Sequence, residues 1–301
     1  MRTQTKYILV TIIAAIAWGS SGTCGEYFFK LYHTDSQWLT TARLLSAGVC
    51  LLLLALARGQ KDALLGILHN KHDCVQLLLF SVCGMMALQY THHTAIAYTN
   101  SGTATVLQYI SPAFVLIFTC IVSKRLPQWR EALSLLGISI GVFLIASHGD
   151  FHSLIISKPG LFWGIASAVF LTVHNILPIK IIQRWGSLPV TAWAMIFGGI
   201  VFSIFTHPFR YSPTIQWDTV LVFVVFILIG TVFGFAAFLT GVSHIGPVTA
   251  SIICCLEPIS ASILSYLWLD TYFTFYDVIG MVIILTAICI LTLHPQNNPS
   301  Q

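Results

Sequence analysis

Charge is scarce in this chain. Asp, Glu, Lys and Arg together make up 8% of its 301 residues, where a soluble domain carries about a quarter, so there are too few ionised side chains to solvate a water-exposed surface. The ten acids and 14 bases leave a net charge of +4. The bases are scattered, which excludes the clustered basic face that nucleic-acid recognition needs. Metal-ligand spacing is missing as well: the eight cysteines form no CxxC pair and have no histidines at matching intervals. They read as small core residues, and no cofactor is implied. Nor does any long polar stretch mark an appended soluble domain.

Apolar length is what the chain has. Hydrophobic residues make up 56% and mean hydropathy is +0.85. Reading apolar runs between charged or Pro/Gly-rich breaks gives ten candidate spans, roughly 7–27, 37–57, 74–97, 100–122, 131–148, 159–182, 188–206, 218–242, 247–269 and 275–293. The fold expected is an all-α polytopic membrane protein with ten transmembrane helices. Arg2 and Lys6 before an apolar run to Ala17 resemble a secretory signal, and Cys24 a lipoprotein site. Both readings are rejected, because Thr23 stands where a small Gly or Ala is expected and the apolar segments continue to the C-terminus.

The bases orient the bundle. With the N-terminus inside, Arg2, Lys6, Arg58, Lys61, Lys71, Lys124, Arg125, Arg130, Lys180 and Arg184 fall on inside segments, against Lys30, Lys158 and Arg210 outside. The positive-inside rule then predicts a multi-pass cell-membrane protein with both termini cytoplasmic. Arg43 lies within the second span, within about two turns of its outer end, close enough to snorkel.

Gly84 to Pro112 aligns without a gap on Gly230 to Pro258: Gly84 meets Gly230, Thr103-Ala104-Thr105 meets Thr249-Ala250-Ser251, and Pro112 meets Pro258. The matched stretches cover spans three to four and eight to nine, so the repeat unit is five helices. An odd unit enters the membrane in opposite senses, which makes the two halves an inverted-topology repeat, a common architecture of secondary transporters. Trp18-Gly19-Ser20, Gly102-Thr103-Ala104 to Pro112, Gly137, Trp163-Gly164 and Glu257-Pro258 stand in the order and spacing seen in one family. With them the chain resembles the EamA type of the drug/metabolite transporter superfamily over nearly its whole length. The resemblance implies a first five-helix repeat over 1–148, a connecting loop at 149–156, a second repeat over 157–294 and a tail at 295–301. It departs from the family at Lys124-Arg125, where many members carry an acid at the end of the fourth helix, so no acidic role is carried over there.

Pro112 and Pro258 lie inside apolar spans, each removing a backbone donor and freeing the carbonyl of Gln108 or Cys254. Two readings stand: helices broken around a central cavity, or ordinary kinks packed against neighbours. Glu257 is the acid that falls well inside a span, and its repeat partner is Ser111. Such a group usually faces a cavity, pairs or carries protons. A structural glutamate that satisfies the proline-freed backbone is the alternative. Trp18, Tyr90, Gln108, Tyr109, His174 and Glu257 together suit a small organic solute, with aromatics for apolar area and amides, imidazole and acid for orientation. Taken singly, each polar group is explained by interhelical hydrogen bonding, as are Gln89, His92, His93 and Asn175. Adjacent His92 and His93 point to different helix faces, so no metal site is expected.

Gly19-Ser20-Ser21-Gly22 fits the GxSG pattern of intramembrane serine hydrolases, but Ser21 would need a general base and small residues also serve close helix packing. The expectation is therefore a secondary transporter, not an enzyme, moving a small organic metabolite by alternating access in the lipid bilayer. The family resemblance implies export of an amino acid or related compound; an uptake carrier is the alternative, and the hydrolase using Ser21 is a distant third.

Overall fold

The computed structural model describes residues 2–148, 155–207, 216–245, 250 and 253–293. The described chain is helical. In order come α1 (Arg2–Tyr32), α2 (Ser36–Ala57), α3 (Lys61–His69), α4 (Lys71–Leu79), α5 (Ala87–Tyr98), α6 (Ser101–Gln108), α7 (Ser111–Val122), α8 (Trp129–Ser147) and α9 (Lys158–Ile176). They are followed by α10 (Ile179–Trp185), α11 (Ser187–Thr206), α12 (Trp217–Val224), α13 (Gly234–Ile245), α14 (Leu256–Leu269) and α15 (Phe275–Leu293). Two π-helical segments, Phe80–Met86 and Val225–Phe233, fuse α4 to α5 and α12 to α13. Among the described residues, eight helices are long and apolar enough to cross a bilayer, and Phe275–Ile290 is a shorter apolar one. The chain is a multi-pass membrane protein whose regular structure is all helical among the described residues.

Side-chain caps set several helix starts. Asp35 accepts from Gln37 N (2.9 Å), Asn100 from Thr103 N (2.8 Å) and Ser157 from Gly160 N (3.1 Å), each taking up an amide that the first turn leaves without a partner. Proline sets one stop. The sixth span, expected to run to 182, ends at Ile176, because Pro178 donates no N–H and restricts Leu177, so α10 starts as a separate turn. The short helix α3 ahead of the third span is an addition to the expected elements, its mixed charge and length giving no spanning signal.

The expected fourth span, 100–122, is two helices meeting at Tyr109 and Ile110. Cys255, aligned with Tyr109 in the repeat, is likewise a turn ahead of α14. Gly84 and Gly230, aligned with each other, both lie in the π-helical segments. Of the other repeat partners, Thr249 and Ser251 lie outside the described residues, as do most of the expected connecting loop and the tail 295–301.

Helix α1 runs through the middle, packed on α14, α13, α6 and the second π segment, while α2 pairs with α11, α5 with α9 and α8 with α15. Side-chain bonds show which helix ends share a side. At the far end, Tyr27 and Tyr32 both donate to Asp218 at the start of α12 (2.9 and 2.5 Å), and Lys30 donates to Leu269 O of α14 (3.2 Å). At the near end, Arg184 and Trp185 of α10 both donate to Asp73 of α4, at 3.0 and 2.8 Å.

Candidate functional site

Between these ends lies a cavity of about 370 Å³, inside the range of about 300–1,000 Å³ usual for small-molecule sites. Trp18 and Ser21 of α1, Gln89 and His92 of α5, Gln108 and Tyr109 at the break after α6, His174 and Asn175 of α9, Phe235 and Phe238 of α13, and Glu257 of α14 line it together with Arg43 of α2. Five of the six residues expected at a solute site are thus brought together. Tyr90 is set apart: its ring packs against Trp163 (5.5 Å between centroids) and Phe202 (5.1 Å), on the face of α5 turned to α9 and α11. Of the two prolines, Pro112 lines the cavity, and Pro258 is buried in α14 outside its lining.

The break at Pro258 is closed by the cavity itself. Having no N–H, Pro258 leaves Cys254 O without its helical donor, and Tyr109 Oη stands 2.8 Å from that carbonyl and 2.8 Å from Glu257 Oε2. A phenol carries one hydrogen. When it goes to Cys254 O, the bond to Glu257 needs the proton on the carboxyl; when it goes to a carboxylate, Cys254 O gives up that donor. Protonation of Glu257 and satisfaction of the helix break are thereby tied to one hydroxyl.

Arg43 corrects the snorkelling expectation. It is 8% exposed, its Nε donating to Thr231 Oγ1 (3.3 Å) and Nη1 lying 3.2 Å from His93 Nε2, with the guanidinium 4.7 Å over the Phe226 ring. Arginine can only donate, so His93 Nε2 accepts, and its Nδ1–H is left to donate to Thr40 Oγ1 at 2.8 Å. Thr231 Oγ1 in turn donates to Phe226 O (3.2 Å), five residues back, so the second π segment presents the hydroxyl that receives Arg43. Aromatic and polar partners inside the bundle replace the route to the interface. Neither Arg43 nor Glu257 takes part in an ion pair among the described residues.

Two polar atoms on the wall, Ser21 Oγ and His92 Nδ1, are buried without a hydrogen-bond partner among the described residues. Each such group costs about 1–3 kcal/mol, a penalty that a bound solute or water would relieve. Ser21 consequently has no base in contact among those residues, as a serine nucleophile requires. The small residues around it serve packing: a Cβ on Gly19 would lie 2.7 Å from Glu257 O and 2.8 Å from Ala261 N, and one on Gly230 would lie 2.7 Å from Ser21 Oγ. Trp18 stacks at an angle on Phe238 (4.9 Å) and edge-on to Phe235 (5.4 Å), giving the cavity its apolar wall. Among the described residues, no group of three or more His, Cys, Asp or Glu is placed to hold a metal ion.

A second buried acid escapes a reading of the sequence because it sits at the margin of the first span. Glu26, 1% exposed, accepts from Ser101 N (2.8 Å), Ser265 Oγ (2.6 Å) and Thr271 Oγ1 (2.6 Å), and pairs with Lys30 at 3.2 Å. Glu26 lies one turn beyond Gly22, Ser101 two turns before Gln108 and Ser265 two turns after Glu257. All three displacements run toward the far end, so this cluster ties α1, α6 and α14 together across that end of the cavity.

A polar, partly aromatic chamber enclosed by membrane-length helices fits a membrane transporter for a small molecule. Relatives agree with that class. An EamA-like transporter family model matches residues 5–147 and again 158–293. The uncharacterized inner membrane transporter YicL of Salmonella typhimurium is 36% identical over 298 residues, covering 99% of both chains, and the uncharacterized transporter YyaM of Bacillus subtilis is 22% identical over 277 residues, 85% of each. A solved crystal structure that is 15% identical superposes with a TM-score of 0.65 over 98% of this chain and 100% of its own, a likeness of fold. The chain belongs to the EamA-like transporter family, within the drug/metabolite transporter superfamily.

Proposed function

We propose that this transporter is a secondary carrier of small zwitterionic metabolites, amino acids or close relatives, working by alternating access as an exporter. The reading rests on one arrangement: a buried guanidinium and a half-buried carboxyl, Arg43 and Glu257, on separate helices facing one cavity with no ion pair to either among the described residues. Burying both is costly unless each is matched, and a solute bearing a carboxylate and an ammonium would match both at once. Trp18 and Phe238 would take its apolar part. Export is the direction that the family resemblance implies, with uptake as the alternative.

In this proposal ten helices form two inverted five-helix halves, 1–148 and 157–294, joined at 149–156 and followed by a tail at 295–301. The two separate family matches support this division, as does the recurrence of a π segment and a helix break at aligned positions. One half rocks against the other about the cavity, with the Glu26 cluster sealing the far end in the state described and parting when that end opens.

Purified protein in liposomes loaded with unlabelled amino acids is expected to accumulate a labelled one by counterflow. Counterflow with simple amines or with carboxylic acids, and none with any zwitterion, would overturn the substrate class. Orientation is tested separately in a cysteine-free background. With both termini cytoplasmic, a single cysteine at Ser212 should react with an impermeant maleimide on intact cells and one at Gln60 should not. The opposite pattern would invert the topology.

A further inference from the structure

At the near end, outside the cavity, α4 and the α9–α10 turn stand apart along a groove of about 840 Å³. Its walls are Val75, Leu79, Ile176, Leu177 and Ile179, and its mouth is set with Lys71, His72 and Lys180. Val75, Leu79 and Ile179 are exposed, so the groove opens to the surroundings of the bundle. The acid nearest the mouth is already engaged: Asp73 receives Arg184 and Trp185 and lies 3.4 Å from His72 Nδ1. Lys71 and Lys180 have no ion-pair partner among the described residues. Lys71 also opens α4, where the helix dipole favours an anion.

We propose that this groove binds one anionic phospholipid, its phosphate between Lys71 and Lys180 and an acyl chain along Val75, Leu79 and Ile179. The chemistry is complementary at both levels. Lys71 opens α4 and Lys180 stands at the start of α10, while Val75 and Leu79 follow Lys71 by one and two turns, so a molecule with a charged head and an apolar tail fits with its head at the lysines. A soluble anion would leave the walls uncovered, and a lipid without net charge would leave the two ammonium groups unmatched. Basic pockets between transmembrane helices are known to select such headgroups.

Position makes the groove more than a resting place for lipid. It lies where the first half of the chain meets the second, crossed by one bond from Gln76 Nε2 to Leu177 O (2.8 Å). Three residues before Leu177 stands His174, which lines the cavity and whose ring is 5.2 Å from Phe80, the residue after Leu79. A lipid chain in the groove therefore packs three residues from His174 on the cavity wall and against Leu79, next to the Phe80 ring that His174 meets. The lipid site itself does not depend on what the cavity carries.

Lipid binding is measured on the purified full-length protein, by native mass spectrometry and by thermal shift, with phosphatidylglycerol and phosphatidylethanolamine of identical chains. Phosphatidylglycerol is expected to be retained preferentially and to raise the melting temperature further. Removing the charges with Lys71→Gln and Lys180→Gln should weaken that preference by roughly fivefold for each, and Lys180→Glu should reverse it. Leu79→Trp, which fills the groove without touching the charges, should release the lipid while the protein keeps its helicity and elution volume. Equal retention of the two lipids, a preference that survives the double substitution, or a shift reproduced by glycerol 3-phosphate alone would each overturn the proposal.

Discussion

Arg43→Gln is expected to weaken binding of carboxylate-bearing solutes by roughly 30-fold or more, because truncating one member of a buried charge contact costs about 2–5 kcal/mol. Binding of the same solutes with the carboxylate converted to an amide should change little. Glu257→Gln should give the mirror image, sparing analogues that lack the ammonium group. Titrations of the purified variants with a zwitterion and its two half-charged analogues measure both effects. If the wild type fails to distinguish the three ligands, or both variants keep wild-type affinity, the two charges are structural. The glutamate has a second expected phenotype. In Glu257→Gln the new side-chain amide can donate to Tyr109 and leave the phenol's hydrogen on Cys254 O, imitating the protonated carboxyl permanently. If Glu257 exchanges protons during transport, the variant should lose pH-dependent net flux yet still exchange substrate across the membrane. Wild-type pH dependence in Glu257→Gln would remove the proton role.

Glu26→Gln is expected to be the most disruptive change away from the cavity. It takes the charge from an acceptor that receives Ser101 N, Ser265 Oγ and Thr271 Oγ1 and pairs with Lys30, and hydrogen bonds to a charged group contribute about 1.5–3 kcal/mol each. Since those bonds join three helices across the far end, their loss should favour the state in which that end is open. A single cysteine at Ser21, on the cavity wall, reports this. Its labelling from the far side by an impermeant maleimide should rise about tenfold in the Glu26→Gln background, equivalent to about 1.4 kcal/mol. Labelling that stays at the wild-type rate in a folded variant would mean that the cluster holds the fold and not the gate.

Much of this is legible in the sequence because lipid imposes simple rules. Long apolar runs mark the helices, and Pro112 and Pro258 mark the breaks. Glu257 stands out because an acid amid apolar residues has few bland explanations. The failures share one cause, which is that their partners are remote in sequence. Arg43 reads as a snorkelling side chain, since neither Thr231, 188 residues away, nor His93, 50 residues away, is visible locally. Glu26 looks like the end of a span until Ser265 and Thr271 are found against it, 239 and 245 residues on. Residue type groups Tyr90 with the site, and the rotation of α5 turns it to Trp163 instead. The π segments have no composition that distinguishes them from α-helix, although each contains one of the two aligned glycines, Gly84 and Gly230.

The second π segment also sets the phase of its helix. A π turn accommodates an extra residue, so the two ends of the helix are rotated relative to an unbroken α-helix by about 100°. One end must aim Asp218 at Tyr27 and Tyr32, and the other must aim Phe235 and Phe238 at Trp18, with Thr231 between them aimed at Arg43. A chain shortened by one residue within Val225–Phe233 could keep every side chain named here and still satisfy only one of these alignments. Length within the segment is therefore as constrained as composition: conservative substitutions of its apolar residues should be tolerated where a single deletion is not.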